Sequence, residues 1–371
     1  TDVLLWGGAA VPPAPAPAAF WSAVRREAAL LALRGRGSPP FEIRGVHRLP
    51  PPLLRGSSAR SRVRAAVLQG VVVEMAVRAG ELRVVDAVAN AAGARECVSG
   101  LRLGSGGTAL AFMDGPDGTR VLLRAGASVG ALPVANSADA LEHLSASRVG
   151  RVPRLMARGE TCGASWSTES VVGGHRPKQL SPQLIKEAIA FCLRLPRCDR
   201  ATAVRTDIGV IAERVPEVAA PLTVLGARLQ EECAGLPGVM RHGDMWAGNL
   251  LVNRGNLAGV IDWDAWHPEG LPGTDVMYLM VAEQWLRKRR DLGGIWAERP
   301  WRSAHFQAVT ADYWVGFGIE PRSGLLDAIG IASWAAQASA NLARSPQLAD
   351  NPRWIENNVL APSSAFSTPG A

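Results

Sequence analysis

The chain has 371 residues, more than one compact hydrophobic core accommodates, so two or three lobes are expected. Its net charge of +7 comes almost entirely from arginine, because lysine occurs only at Lys178, Lys186 and Lys288. Arg287–Arg290 is the densest basic run; it ends a helix-like stretch and has no interleaved stacking aromatics, so it favours a solvated helix end over a nucleic-acid interface.

Several protein classes are disfavoured by the remaining composition. Every apolar run is interrupted well before eighteen residues, so no transmembrane segment is predicted, and no signal peptide is visible. Arginine together with abundant alanine, glycine and proline is typical of GC-rich bacterial coding. The five cysteines lack CxxC or zinc-site spacing, so we expect reduced thiols in a cytoplasmic protein. They are Cys97, Cys162, Cys192, Cys198 and Cys233.

Residues 1–95 match no pattern that predicts a fold. A helix is expected over Phe20–Arg34, whereas Ser57–Arg78 fits a helix or a strand equally well. We interpret this part as an accessory region that packs on the other lobes or forms a contact between copies of the chain.

Three short strands are predicted next, at Val98–Leu103, Ala109–Met113 and Thr119–Ala125. The turn between the first two is rich in glycine, which lets backbone N–H groups approach phosphates closely. Such turns are common, so this one alone is weak evidence for a nucleotide site. Its residues are Gly104, Ser105, Gly106, Gly107 and Thr108.

Helices dominate the rest of the predicted structure. A short helix with a serine cap is expected over Ser137–Ser145, and Ser181-Pro182 marks the start of another, whose apolar stripe places Cys192 in the core. Thr274 is a candidate helix cap, and the tail from Ala361 is expected to be poorly ordered. Further helices are predicted at 222–236, 302–316 and 325–342.

Two polar clusters carry the chemistry, and an apolar hairpin separates them. His242-Gly243-Asp244 is followed five residues later by Asn249, and Asp262 ends the second strand of the hairpin. Because the hairpin returns the chain, Asn249 and Asp262 should lie at the same end. Asp244 can accept a proton from a hydroxyl, while Asn249 and Asp262 offer hard oxygens for Mg²⁺ on nucleotide phosphates.

This pair of segments resembles the catalytic and metal-binding loops of the aminoglycoside phosphotransferase and choline kinase-like family. The resemblance is strong over about forty residues, to Asp275. It implies an α+β, protein kinase-like two-lobe fold with an additional N-terminal region. The implied division is an accessory region at 1–95, a nucleotide-binding N-lobe at 96–172 and a helical C-lobe at 173–371.

The resemblance also implies roles for individual residues in the C-lobe. Asp244 would be the catalytic base, with Asn249 and Asp262 as the Mg²⁺ ligands. His242 would pack the loop. Asp275 would brace it. Asp264 is a second acid nearby, which would bind metal through water or face the acceptor.

In the N-lobe, the resemblance calls for a cation on the third strand and an acid on the next helix. This chain has no lysine before Lys178, so Arg124 is the candidate cation, and arginine can bind phosphate through two nitrogens. Glu142 is its expected partner, with Asp139 in reserve. The adenine edge would lie near Ser170 and Val172, which precede a glycine-rich connector.

The sequence therefore predicts a cytoplasmic, Mg²⁺-dependent kinase that transfers the γ-phosphoryl group of ATP or GTP to a small-molecule hydroxyl. An antibiotic or natural product is the favoured acceptor, in self-resistance or biosynthesis. A metabolic kinase for choline, an amino alcohol or a sugar is an alternative, as is a non-catalytic nucleotide-binding scaffold. Cationic acceptors are disfavoured because acidic candidates such as Glu269, Glu283 and Asp312 are scattered along the chain. No nucleic acid or membrane partner is expected.

Overall fold

A computed structural model describes residues 97–103, 108–114, 119–127, 130–161, 164–201, 203–288, 290–344 and 348–367. Predictions for residues 1–95 and for Gly104–Gly107 therefore lie outside the described residues. The described chain divides into two compact units, one ending at Glu142 and resuming over Pro153–Val171, the other made of His143–Val152 and the chain from Val172.

The first unit is built on an antiparallel sheet of five strands in the order β1-β2-β3-β5-β4. The three strands predicted from the sequence all form, each within two residues of the expected ends. Hairpin neighbours pair directly, and β3 joins the two halves of the sheet through β5. The strands are β1 Cys97–Leu103, β2 Thr108–Asp114, β3 Arg120–Ala127, β4 Leu155–Thr161 and β5 Ala164–Ser170.

Helix α1 spans Ala131–Ala146 and begins six residues before the predicted Ser137. Pro133 falls in its first turn, where a missing N–H costs no helical hydrogen bond, so the proline starts the helix rather than blocking it. Ser137 is consequently an interior, buried helical residue, and its hydroxyl has no hydrogen-bond partner within the described chain. The predicted serine cap is wrong.

The second unit contains two small antiparallel sheets. One is the predicted hairpin of β8 and β9, and the other joins β10, β7 and β6 in that order. The hairpin turns at Arg254-Gly255, both with positive φ (51° and 84°). The strands are β6 Arg197–Cys198, β7 Gly238–Arg241, β8 Leu250–Asn253, β9 Asn256–Val260 and β10 His267–Gly270.

Helices supply most of the second unit. The Ser181 side chain caps α2 by accepting the N–H of Leu184 at 3.1 Å, as predicted. Thr274 instead donates its hydroxyl to the Leu271 carbonyl, so the predicted Thr274 cap is wrong. The helices are α2 Pro182–Cys192, α3 Ala203–Arg214, α4 Ala219–Glu232, α5 Thr274–Lys288, α6 Leu292–Ala297, α7 Ala304–Phe317, α8 Ser323–Arg344, α9 Pro352–Ile355 and α10 Ala361–Ser367.

An aromatic core orders the end of the second unit. Phe366 is buried, and its ring lies 5.3 Å from that of Trp334 and 6.3 Å from that of Trp301. The expectation of a poorly ordered tail is therefore wrong for Ala361–Ser367, because one buried phenylalanine fixes a helix that local composition does not favour. Within the described residues, no helix is both long and apolar enough to span a membrane.

Candidate active site

The loop that follows β7 depends on a glycine at its second position. Gly243 has a φ of +79°, and a Cβ there would collide with the carbonyl of Ala265. No other residue fits both the backbone conformation and the close approach. The His242-Gly243-Asp244 triplet is thus pressed against the chain that follows Asp262.

Asp275 holds this loop through its backbone. Its carboxylate accepts the N–H of His242 at 2.6 Å and the N–H of Gly243 at 2.9 Å. Burial raises the pKa of the carboxyl, while the nearby His242 and the two backbone hydrogen bonds oppose that rise. Asp275 therefore lies where a brace for the loop was expected.

His242 is fully buried, and both of its ring nitrogens are engaged. Nε2 lies 3.0 Å from the Ile261 carbonyl, and Nδ1 accepts the N–H of Asp244 at 3.2 Å. The ring centroid is 4.5 Å from that of Trp263. One imidazole therefore ties the loop to the strand end that carries Asp262.

Two residues that support this region were missed in the sequence. Gln337 donates its side-chain amide to the Gly243 carbonyl at 2.6 Å, and the Tyr313 hydroxyl accepts the N–H of Gly273, just before α5, at 2.7 Å. Both side chains are buried. The available signal for Gln337 was a polar residue on an otherwise apolar helix, which usually means a buried hydrogen bond.

Asp244 and Asn249 are brought into direct contact. The Asn249 amide nitrogen donates to the Asp244 backbone carbonyl and to Asp244 Oδ2, both at 2.9 Å. A 3₁₀ turn over Ala247–Asn249 places the amide there. The arrangement orients the Asp244 carboxylate and directs the Asn249 oxygen away from it.

The hairpin places Asn249 next to the second cluster. Ile261 donates its N–H to the Asn249 carbonyl at 3.0 Å, so Asp262 follows directly on a residue bonded to Asn249. Asp262 has a φ of 72°, a left-handed conformation that non-glycine residues seldom adopt. Such conformations cluster at functional sites, where the surrounding structure enforces them. Asp264 lies two residues further on and is half-buried.

The donor chemistry here fits Mg²⁺. Asn249 offers an amide oxygen and Asp262, at the same end of the hairpin, a carboxylate, and both are hard oxygens. Mg²⁺ commonly takes only one or two carboxylates and completes its shell with phosphate oxygens and water. Within the described residues, no cluster of three or more His, Cys, Asp or Glu side chains could hold a metal. This is compatible with a site that the nucleotide helps to form.

Arg124 in the first unit is buried and paired with Glu169. Its Nε lies 2.9 Å from Glu169 Oε1, and the two side chains are 8% and 3% exposed. Arg124 on β3 is opposite Ser167 on β5, so Glu169, two residues beyond Ser167, is its diagonal neighbour on the same sheet face. Glu169 was not predicted; an isolated glutamate among the serines and threonines of β5 was the only signal.

The predicted partner, Glu142, is engaged elsewhere. Glu142 Oε2 lies 3.3 Å from Arg158 on β4, and Asp139 pairs with the same guanidinium. The three-residue spacing of Asp139 and Glu142 places both carboxylates on one face of α1, where they meet the exposed Arg158. The predicted pairing of Arg124 with Glu142 is therefore wrong.

The other predicted nucleotide contacts are more dispersed. Ser170 is tied to Arg154, since its N–H donates to the Arg154 carbonyl and its hydroxyl accepts the Arg154 N–H, both at 2.9 Å. Val172 belongs to the second unit, where it contacts Gly259. Thr108 begins β2, and the glycines before it lie outside the described residues.

A sequence match that extends from β1 to α7 identifies the family of this chain. A family model described as the phosphotransferase enzyme family matches residues 100–316, more than half of the chain. The chain belongs to this family. Membership confirms the predicted resemblance and makes this phosphotransferase a small-molecule kinase that acts on hydroxyl groups. No curated protein matches the sequence.

Solved structures are similar to this phosphotransferase at low sequence identity. A thermostable mutant of aminoglycoside phosphotransferase APH(4)-Ia, in ternary complex with ADP and hygromycin B, has a TM-score of 0.50 at 14% identity, covering 76% of this chain and 98% of that one. The GDP and kanamycin complex of APH(2")-IIia has a TM-score of 0.49 at 15% identity, covering 75% and 96%. Macrolide 2'-phosphotransferase MphH from Brachybacterium faecium has a TM-score of 0.45 at 17% identity, covering 77% and 99%. The likeness to APH(4)-Ia confirms the predicted α+β, kinase-like fold.

Proposed function

We propose that this phosphotransferase transfers the γ-phosphoryl group of ATP or GTP to a hydroxyl of an antibiotic or natural product, with Asp244 as the base. The observation that carries the proposal is the contact of Asn249 Nδ2 with Asp244 Oδ2 at 2.9 Å. It orients the base with the amide of a residue whose backbone carbonyl accepts the N–H of Ile261, next to Asp262. The nucleotide complexes of the similar structures, with ADP and GDP, support a purine nucleotide as the donor.

The chemistry needs few protein groups. The acceptor oxygen forms a bond to the γ-phosphorus, the bond from that phosphorus to the β–γ bridging oxygen breaks, and a nucleoside diphosphate leaves. Asp244 takes the hydroxyl proton. His242 and Asp275 keep Asp244 in place through the loop backbone. In this proposal Arg124 holds a phosphate of the nucleotide by charge-assisted hydrogen bonds.

Asn249 and Asp262 would hold Mg²⁺. When bound, the ion neutralises phosphate charge and orients the phosphates. We assign Asp264 to the outer part of this site, through water, or to the acceptor. The left-handed backbone at Asp262 supports the assignment, since an unfavourable conformation of this kind is retained where it positions a functional group.

The family and the neighbouring structures support this acceptor class. Hygromycin B and kanamycin are bound in two of the similar structures, and a third similar enzyme is a macrolide phosphotransferase. Hydroxyl-bearing natural products are therefore the first class to test. The direct contact of Asp244 with Asn249, and the position of Asp262 next to a residue bonded to Asn249, argue against a non-catalytic scaffold.

The test is a phosphorylation screen against hydroxyl-bearing antibiotics with ATP or GTP and Mg²⁺, read by product mass. Asp244→Asn should lower the turnover number by about 10²- to 10⁴-fold, because the substituted amide cannot accept the proton. Asp262→Asn should raise the Mg²⁺ concentration needed for nucleotide binding. Asp312→Asn, an exposed position on α7, is the matched control and should match the parent. Full turnover in both site variants would show that the assignment is wrong.

A further inference from the structure

Trp246 lies in the catalytic loop two residues after Asp244 and is partly exposed like it. Burial alternates over three residues: Asp244 is half-buried, Met245 is fully buried and Trp246 is half-buried. Trp246 has an extended backbone (φ −152°, ψ 171°). Alternate residues of an extended segment share a side. Met245 therefore enters the core, whereas Asp244 and Trp246, on either side of it, both keep exposed surface.

The indole of Trp246 is fixed in place. A Cβ at Gly248 would collide with its six-membered ring, so the ring lies directly on the Gly248 backbone. Its other neighbour is Trp285 on α5, at a centroid distance of 6.1 Å and an interplanar angle of 61°, an edge-to-face contact. The two indoles form a rigid aromatic surface beside the loop that carries the base.

Trp285 is exposed, in contrast to most of the large aromatic side chains in its unit. It is 38% accessible, whereas Trp263, Trp296, Trp301, Trp314 and Trp334 are fully buried. An exposed tryptophan in contact with a catalytic loop leaves apolar ring surface in water, which is unfavourable for the folded protein. A ligand that covers the ring recovers this free energy.

The charges near Trp285 select against cations. Arg287 and Lys288 follow it on the last turn of α5, and both are exposed. The nearest acid on the helix, Glu283, is buried: it accepts the Leu180 N–H at 3.2 Å and pairs with Arg287 at 3.1 Å. Glu283 is therefore unavailable to a ligand cation, and the exposed end of α5 carries a net positive charge. A polycationic acceptor would be repelled by this end of α5.

We infer that Trp246 and Trp285 form the acceptor subsite, and that the acceptor is a neutral hydroxyl compound whose apolar ring face lies on the two indoles. The inference rests on the proposed function, because it takes Asp244 as the base. It narrows the acceptor to neutral glycosides, nucleosides and related ring compounds. Polyamine antibiotics and quaternary ammonium alcohols do not fit.

The experiment measures KM and kcat for two acceptor sets with the parent and Trp285→Ala. The neutral set is methyl glucoside, uridine and chloramphenicol, and the cationic set is kanamycin and choline. We expect phosphorylation within the neutral set, and in Trp285→Ala a KM raised roughly fivefold to tenfold with kcat within about twofold, as lost ring contact predicts. Trp285→Phe should restore most of the parental KM.

Val315→Ala is the matched control, since Val315 is 79% exposed on α7. Its KM should equal that of the parent. A neutral acceptor whose KM is unchanged in Trp285→Ala would overturn the subsite and leave the proposed function intact. Phosphorylation of the cationic set alone would overturn the neutral acceptor class and would also leave the proposed function intact. If neither set is phosphorylated while nucleotide still binds, the neutral-acceptor inference fails. Absence of nucleotide binding would remove the proposed function as well.

Discussion

Glu169 in the first unit and Asp275 in the second are both buried carboxylates beside predicted site residues, yet they do different work. Glu169 neutralises a guanidinium, that of Arg124, from a neighbouring strand. Asp275 accepts two backbone N–H groups of the loop that carries Asp244. Glu169 fixes a charged side chain, whereas Asp275 fixes the backbone conformation of the loop.

The difference shows what each kind of site tolerates. A buried ion pair is costly to break, because the remaining charge is left in a poorly solvated position. A carboxylate on backbone donors is replaceable in part by any acceptor that reaches the same N–H groups. We therefore expect loss of Glu169 to act on stability first, and loss of Asp275 to act mainly on catalysis.

Glu169→Gln should have the largest effect on stability. It leaves the Arg124 charge buried without a countercharge from Glu169, and we expect the free energy of unfolding to fall by about 3 to 5 kcal/mol. Urea denaturation at neutral pH measures this.

Glu142→Gln is the control for that comparison. Glu142 is half exposed and pairs with Arg158, so its loss should cost less than about 1 kcal/mol. Equal effects of the two substitutions would contradict the assignment of Glu169 as the partner of Arg124.

Asp275→Asn should have an intermediate effect on stability and a disproportionate effect on rate. The amide retains one acceptor but presents N–H groups to a backbone donor, which we expect to cost about 2 kcal/mol. Because His242 and Gly243 then shift, kcat should fall while the KM for nucleotide stays near the parental value. Steady-state kinetics and thermal unfolding together check this. A variant with lower stability but the parental kcat would show that the loop keeps its conformation without Asp275.

Asp327 offers a third buried carboxylate, paired with arginine like Glu169 but outside the proposed site. It accepts Arg302 Nη2 at 2.6 Å and Trp301 Nε1 at 2.8 Å. Burial alone would raise the pKa of Asp327, but the hydrogen bonds from Arg302 and Trp301 and the arginine charges hold it below its usual value.

Asp327→Asn should therefore lower stability by about 1 to 2 kcal/mol at pH 7, with kcat unchanged. A carboxyl whose pKa is lowered on folding contributes stability above its unfolded pKa of 3.8, and loses it as the pH falls through the folded value. The difference between parent and variant should thus shrink below about pH 4. Urea unfolding at pH 7, 5 and 3 measures it, and a difference independent of pH would contradict the pairing.

Local sequence patterns were sufficient for the strands and the catalytic loop. Local patterns located β1, β2 and β3 to within two residues at each end, and the spacing from Asp244 to Asn249 singled out two residues that the structure brings into contact. Asp262 was expected at the same end of the hairpin, where β8 and β9 bring it. These contacts lie within one turn or one hairpin, so the sequence order nearly determines them.

Contacts across the sheet or between helices were not predictable in the same way. The partner of Arg124 depends on the register of β3 and β5, which the sequence of neither strand states alone. Gln337 reaches Gly243 across 94 positions of sequence. Phe366 orders the tail only because Trp301 and Trp334 are already in place. Each is a tertiary effect that overrides a local preference.

The pairing of Arg124 with Glu169 across two strands affects how the activity could be controlled. Where a cation depends on a helix for its acidic partner, displacement of that helix separates the charges and disables the site. Here both charges lie on adjacent strands of one hydrogen-bonded sheet. Displacement of helix α1 would not separate Arg124 from Glu169, so in the proposed nucleotide site the orientation of this cation would not depend on that helix.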